Sequence, residues 1–326
     1  MRSLLWPLLG MMMLASTQSV SAAARLGPPI EDLQKHPERI RIAAATVSKK
    51  VDSTKIRFQV TEQMTGESPD ELLLRTDEST AGSVEAGRSY IVAWTDMRKN
   101  RRIGIKWEKD PDGPKIVTVV GLGTAAVFED SPEVRLLFSI GPEGDAVSDE
   151  TQLNAVLAQM QRKHSHTRGL VIAELFLRED LTEILEPSQI DSVKSILQGQ
   201  DLDPLQRDLL LRSCLRLEPD KTSPWLGEEL RRVIIANGSQ YDLSSFVPGL
   251  ARTAARGLGQ VGDASDIGLL SILLYSNNPG VGKAALASMD QLDKAATLAQ
   301  AELAFSRNWV QGDTRQALAR YLGQNR

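Results

Sequence analysis

Apolar residues occupy every second position in several short segments of the first half of the chain. This period of two buries one face of a β-strand and leaves the other in water. Gly, Pro, Asp and Ser residues that favour turns separate the segments. We therefore predict an antiparallel β barrel or sandwich. The predicted strands cover residues 40–44, 56–60, 72–74, 90–94, 103–107 and 115–120, and residues 133–140 are a further candidate.

From Asp149 onward, apolar residues recur at intervals of three and four, as they do on one face of an α-helix. Leu153, Val156, Leu157 and Met160 form the first such set. The period changes near residues 141–149. We therefore predict a multidomain α and β protein with a β domain over residues 25–145 and a helical domain over residues 146–326.

The helical half repeats one pattern. In its clearest copy, the run LGQVGD at residues 258–263 precedes one apolar helix, and Asn278-Pro279 begins the next. Asn is a good N-cap, and Pro suits the first helical position. The small Ala284 and Ala285 let the second helix pack closely against its neighbour. Weaker copies begin at His166-Thr167, Asp203-Pro204, Val247-Pro248 and Asp313.

This pattern resembles the HEAT-like or armadillo-type repeat, in which LGxxGD opens a first helix and a polar turn ending in Asn-Pro opens the second. The resemblance covers residues 151–323. It implies helix pairs, about five of them, stacked as a right-handed α-solenoid with an extended surface for binding proteins.

A second resemblance concerns residues 84–92, VEAGRSYIV. They are similar to the aGxxYlv strand of the netrin/tissue-inhibitor module, which is an OB-like β barrel. The resemblance covers residues 39–127. Inhibitors of that family chelate a protease zinc ion with an N-terminal Cys, and this domain has none. We therefore expect the OB-like fold without that inhibitory mechanism.

Residues 1–24 have the three parts of a secretory signal peptide: a basic start, an apolar run and small residues before a cleavage site. The apolar run of about a dozen residues is shorter than the roughly 20 that span a membrane. We expect cleavage after Ala22, Ala23 or Ala24. No Cys follows the run to carry a lipid. The expected location is therefore the periplasm or the cell exterior, without a lipid anchor.

The net charge argues against one class of partner, and the cysteine content argues against a disulfide. Without Arg2, the chain has 37 basic and 42 acidic residues, a net charge of −5. A nucleic-acid partner would favour a basic domain, so we expect none. The single cysteine, Cys214, lies in an apolar helical segment, where we expect a buried thiol and no disulfide. We also expect no cofactor and no transmembrane segment after signal cleavage.

A basic run lies in the predicted hairpin between two strands. Such a hairpin is usually solvated surface. The functional alternative is a contact with an anion or an acidic partner, such as phospholipid headgroups, lipopolysaccharide or an acidic protein patch. Trp107 would then offer a flat stacking face. The candidate contact residues are Arg98, Lys99, Arg101, Arg102, Lys106 and Trp107.

Other local patterns admit a simpler interpretation. The GLGTAA run at residues 121–126 is interpreted as a bend in the β domain, because no helix follows it as a dinucleotide site requires. The GVGK run at residues 280–283 is interpreted as a helix start and not as a phosphate loop. His164 and His166 suggest a polar turn more than a metal site. Arg231, Arg232, Arg252 and Arg256 are expected at ordinary exposed helix positions.

These features favour an exported, non-catalytic protein-interaction or scaffold protein of the cell envelope. Its partner would be another envelope protein bound through the helical-repeat surface, and contact with a membrane surface stays open. The alternative is an enzyme or small-ligand-binding protein. Its site would be a cleft between the β domain and the first helices, around Arg101, Trp107, His164 and His166.

Overall fold

The computed structural model describes residues 27–96, 113–119, 122–138, 147–163, 167–218, 223–237, 247–276, 278–307, 310 and 312–325. It contains an N-terminal β barrel followed by a largely helical region. The barrel interior has its own apolar core. A second core begins on the outer face of the barrel and continues through the helices as far as Leu322.

Five strands close into a ring in the order β1-β2-β3-β5-β4, because β1 also pairs with β4. Only β3 and β5 are parallel among the described pairs, and β6 is added to β4. A helix, α1 (Pro29–Gln34), precedes the barrel, and α2 (Glu78–Ser83) connects β3 to β4. The strands are β1 (Arg41–Lys50), β2 (Lys55–Thr65), β3 (Glu71–Arg75), β4 (Ser89–Asp96), β5 (Pro114–Ile116) and β6 (Val127–Glu129).

The predicted strands at residues 40–44, 56–60, 72–74 and 90–94 are confirmed. Of the predicted strand at residues 115–120, only the beginning belongs to β5. Thr118 forms an isolated bridge to Ala125. The predicted strand at residues 103–107 lies outside the described residues.

The prediction of a strand at residues 133–140 is wrong, because this segment begins with the helix α3 (Pro132–Leu137). Ser131 caps the helix, since its hydroxyl accepts a hydrogen bond from the backbone N–H of Val134. Pro132 occupies the first helical turn, where it has no N–H to leave unpaired. This helix-start signal outweighs the alternating pattern of the segment.

Helices account for most of the rest of the described chain. They begin at Asp149, as the change of apolar period predicted. A 3-10 helix, Ala264–Asp266, precedes α11, and another, Leu273–Tyr275, follows it. The helices are α4 (Asp149–Gln161), α5 (Thr167–Leu177), α6 (Glu179–Glu183), α7 (Pro187–Gln198), α8 (Pro204–Leu217), α9 (Pro224–Asn237), α10 (Val247–Val261), α11 (Ile267–Ile272), α12 (Pro279–Leu292), α13 (Lys294–Ser306) and α14 (Gly312–Asn325).

The predicted helix starts are confirmed where they are described. The Asp203 carboxylate accepts the Gln206 N–H at 2.8 Å at the start of α8. The Asn278 side-chain oxygen accepts the Gly280 N–H at 3.0 Å at the start of α12, and Pro279 follows the cap. The phosphate-loop pattern at residues 280–283 is therefore the first turn of a capped helix.

The helices form two layers along the chain. Consecutive contacts join α5, α8, α10, α12 and α14, which we call the second layer. The first layer contains α4, α7, α9, α11 and α13. Within the described residues, five pairs (α4/α5, α7/α8, α9/α10, α11/α12 and α13/α14) each place one helix in each layer. No helix of the described segments is both long and apolar enough to cross a membrane.

Candidate functional site

The residues predicted from the sequence to contact an anion or a partner are outside the described part of the chain. These residues are Arg98, Lys99, Arg101, Arg102, Lys106 and Trp107. His164 and His166 also lie outside it. The structure describes a cleft between the β domain and the first helices, and its described lining consists of other residues.

This cleft, which we call the junction cleft, has a volume of about 460 Å³. Its barrel side includes Glu85, Arg88 and Glu129, and its helical side includes Gln159, Arg162, Lys163 and Thr167. Tyr90, at the start of β4, forms part of the base, where its phenolic oxygen accepts the Glu85 N–H at 2.9 Å. The volume is in the range of small-molecule sites, which are about 300–1,000 Å³.

Gln159 is one of two buried polar residues in the described lining of the junction cleft, and the other is Thr167. The Gln159 side chain is on α4 and is only 1% exposed. The Thr167 hydroxyl donates a hydrogen bond of 2.9 Å to Gln159 Oε1. Within the described chain, Gln159 Nε2 is buried without a hydrogen-bond partner. Sequence reasoning missed this residue. The available signal was a polar side chain one position before the core residue Met160.

The two sides of the junction cleft differ in charge. On the barrel side, Arg88 lies between two carboxylates, 2.8 Å from that of Glu85 and 3.6 Å from that of Glu129. The helical side has two cations. Arg162 forms an ion pair of 3.3 Å with Glu133, which does not line the cleft. Lys163 forms no ion pair with a described residue and acts on Asp201 only at longer range.

A second feature is a cluster of exposed cations on the second layer, which we call the basic face: Arg252 and Arg256 on α10 and Lys283 on α12. None of the three forms an ion pair within the described chain. Their exposure agrees with the prediction for Arg252 and Arg256. Helix α10 contains no Asp or Glu, and α12 contains none before Asp290. The basic face therefore has no acidic neighbour on its own helices.

The packing of α10 on α12 brings these cations together. A Cβ atom added at Gly280 would lie 3.3 Å from Arg252 Nη1, and one added at Gly259 would lie 2.7 Å from Ser288 Cβ. The two helices therefore run side by side in the same direction. In that register Arg256 lies about level with Lys283. Arg252 and Arg256 are one turn apart on the same side of α10.

Arg231 and Arg232 differ from the ordinary surface positions expected of them. Arg231 donates to both carboxylate oxygens of the buried Asp266, at 2.6 and 2.9 Å. Arg232 does the same to the buried Glu229, at 2.9 and 2.7 Å. The Arg231 pair joins α9 to the start of α11, so that arginine holds successive repeats together. Its guanidinium group is therefore already paired within the chain.

Glu174 on α5 lies where α1 contacts the helical region, and its side chain has no solvent exposure. Its Oε2 accepts the backbone N–H of Ile30 at 2.8 Å. Its Oε1 is buried without a hydrogen bond and is 4.0 Å from Arg178 Nη1. Burial raises the pKa of Glu174 to about 7, against the opposing effects of the Ile30 hydrogen bond and the Arg178 charge.

The remaining candidates offer little reactive chemistry. Cys214 is buried, as predicted, and burial raises the pKa of its thiol to about 12. In the GLGTAA segment, Gly123 has a positive φ of 67°, and the chain continues into the strand β6, not into a helix. Among the described residues, no group of three His, Cys, Asp or Glu side chains could hold a metal ion.

Comparison with known proteins assigns no family. No protein-family model matches the chain. No curated protein and no solved structure is significantly similar to it.

Proposed function

We propose that this protein is a non-catalytic interaction protein of the cell envelope that binds an acidic partner protein through the basic face. The observation that carries the proposal is the cluster of Arg252, Arg256 and Lys283. These cations are exposed, close together and without ion pairs in the described chain. Complementary charge on a partner would remove their mutual repulsion and speed association.

The architecture supports a binding role. Helix pairs that stack in two layers form extended surfaces, and the pairing of α4/α5 to α13/α14 has this arrangement. We infer that the array is a HEAT-like, right-handed solenoid. The ring order β1-β2-β3-β5-β4 and the helix α2 between β3 and β4 support an OB-like barrel. The role of that barrel in our proposal is to fix the position of the array.

The location in our proposal rests on the sequence alone. The basic start, apolar run and small residues of positions 1–24 support export to the periplasm or cell exterior. The partner would then be another envelope protein. The basic run at residues 98–102, with Lys106 and Trp107, would provide a second contact with that partner or with a membrane surface.

Affinity capture from an envelope extract tests the proposal. The bait is the chain from Arg25 onward, and captured proteins are identified by mass spectrometry. A second bait contains Arg256→Glu and Lys283→Glu. A third contains Lys49→Glu and Lys294→Glu, two exposed lysines outside the basic face that give the same change in net charge.

We expect the wild-type and control baits to retain an acidic partner that the basic-face variant loses. Capture should also weaken as salt is raised, because exposed charges are screened. Equal capture by all three baits would refute the role of the basic face. A fourth bait, with Arg98, Arg101 and Arg102 reversed to Glu, tests the predicted hairpin, and a partner lost only from this bait would transfer the contact there.

The alternative, an enzyme or small-ligand protein, has one observation in its favour: the unpaired buried amide of Gln159 in the junction cleft. It points to ligand binding. A substrate screen with the wild-type chain tests whether the protein is an enzyme. Turnover of a substrate that is lost when the junction cleft is blocked would favour this alternative.

A further inference from the structure

We propose that the junction cleft is a binding site for a short zwitterionic peptide. The peptide carboxylate is bound on the helical side, by the amide of Gln159 and the ammonium group of Lys163. The peptide ammonium group is bound on the barrel side, by the carboxylates of Glu85 and Glu129. This site is separate from the basic face, so neither proposal depends on the other.

The first argument is the unused hydrogen-bonding capacity of Gln159. The Thr167 hydroxyl fixes the amide by donating to Oε1, so Nε2 keeps two N–H donors. Within the described residues these donors are buried without an acceptor, an arrangement that costs stability unless a partner is present. Native proteins seldom leave such a group unpaired in the interior. A carboxylate oxygen in the junction cleft would provide the missing acceptor.

The second argument is the separation of charge across the cleft. Among the described lining residues, the barrel side has the carboxylates of Glu85 and Glu129 and one cation, Arg88. This side is therefore negative overall. Among the described lining residues, the helical side has Arg162 and Lys163 and no acidic side chain. A ligand with one charge of each sign at its two ends matches this arrangement, whereas a simple anion would meet the carboxylates of the opposite side.

The third argument is size and composition. A volume of about 460 Å³ is in the range of sites that enclose small molecules. Ser83, Tyr90 and Ser131 add hydroxyl groups to the lining, and Val134 adds an apolar contact. Such a mixture suits the amide groups and small side chains of a peptide. A smaller hollow of about 220 Å³ shares the lining residues Ser83 and Tyr90 with the cleft.

Isothermal titration with matched tripeptides tests the proposal. The ligands are trialanine, its N-acetyl form without the ammonium group, and its C-terminal amide without the carboxylate. The proteins are the chain from Arg25 onward, Gln159→Met, Lys163→Met and the control Lys49→Met. Met keeps the length of Gln but removes the unpaired donors. Lys163 and Lys49 are both exposed, so their substitution should not disturb folding.

We expect trialanine to bind the wild type, and each capped tripeptide to bind about tenfold more weakly. Gln159→Met should weaken trialanine about tenfold, the loss of one hydrogen bond to a charged group. Lys163→Met should weaken it about threefold, as for an exposed ion pair. Lys49→Met should bind as the wild type does. The proposal is overturned if trialanine does not bind at millimolar concentration, if the capped forms bind equally well, or if Lys163→Met and the Lys49→Met control bind alike.

Discussion

Replacing Glu174 with Gln should stabilise the protein at alkaline pH and have little effect at acidic pH. Burial raises the pKa of this carboxyl to about 7, compared with an ordinary value of 4.5 in the unfolded chain. Between these two values the folded chain holds a proton that the unfolded chain has lost. The stability that Glu174 contributes is therefore complete below pH 4.5 and is lost as the pH rises through 7.

The magnitude follows from the difference between the two pKa values. Each tenfold difference in proton affinity corresponds to about 1.4 kcal/mol, so an ionised Glu174 above pH 7 costs about 3 kcal/mol. At pH 5 the remaining cost is below about 1 kcal/mol. The amide of Gln does not ionise. Its oxygen can still accept the Ile30 N–H that Glu174 accepts now, so the contact between α1 and α5 should persist.

Urea unfolding followed by circular dichroism measures the effect, with the chain from Arg25 onward at pH 5 and pH 8. Glu183→Gln is the control, because Glu183 is exposed. We expect Glu174→Gln to raise the free energy of unfolding by up to about 3 kcal/mol at pH 8 and by less than about 1 kcal/mol at pH 5. Glu183→Gln should change it little at either pH. Equal effects of Glu174→Gln at both pH values, or destabilisation at pH 8, would refute the reasoning.

Three further predictions concern the helical region. Gly282→Ala should destabilise the protein by about 1–3 kcal/mol, because the new Cβ would lie 2.7 Å from Cγ2 of the buried Thr314 between α12 and α14. Gly268→Ala on α11 meets nothing within 4 Å and should stabilise it by up to about 1 kcal/mol. Urea unfolding of both variants measures the change in the free energy of unfolding. A change in the same direction for Gly282→Ala and Gly268→Ala would contradict the packing described. Cys214 should not react with a thiol reagent at pH 8 until urea unfolds the chain, because its thiol is buried and has a raised pKa; rapid labelling of the native protein would contradict this.

Local signals in the sequence predicted much of the fold. The alternating residues Tyr90, Val92 and Trp94 of β4 face the barrel interior, whereas Ile42 of β1 faces the second core outside the barrel. The capping residues Asp203 and Asn278 mark where helices begin, because their side chains bond to the first N–H groups. In segment 133–140, Val134, Leu136 and Phe138 alternate as in a strand, but Val134, Leu137 and Phe138 also have helical spacing, and these three are buried. The deciding signal was the Ser-Pro pair that precedes them.

The candidate sites could be predicted less well, because they depend on contacts between distant segments. Gln159 and Thr167 line the cleft with residues more than 60 positions earlier in the chain, and hydrophobic periodicity does not indicate how two domains are placed. Glu174 lies between Ala173 and Leu175 in an apolar segment. Its burial against Ile30 depends on a contact across 144 residues. Polar residues inside apolar helical patterns are the one signal that pointed to these places.

Whether a partner contacts the basic face can be measured most directly by site-specific photo-crosslinking in cells of the native host. A photoreactive phenylalanine analogue replaces Ala287, an exposed residue one turn beyond Lys283 on α12. In a second strain it replaces Ala299, an exposed residue of α13 in the first layer. We predict a crosslinked envelope protein from position 287, absent when Arg256 and Lys283 are reversed to Glu, and none from position 299. Crosslinks from position 299 alone, or from neither position, would contradict a partner-binding role for the basic face.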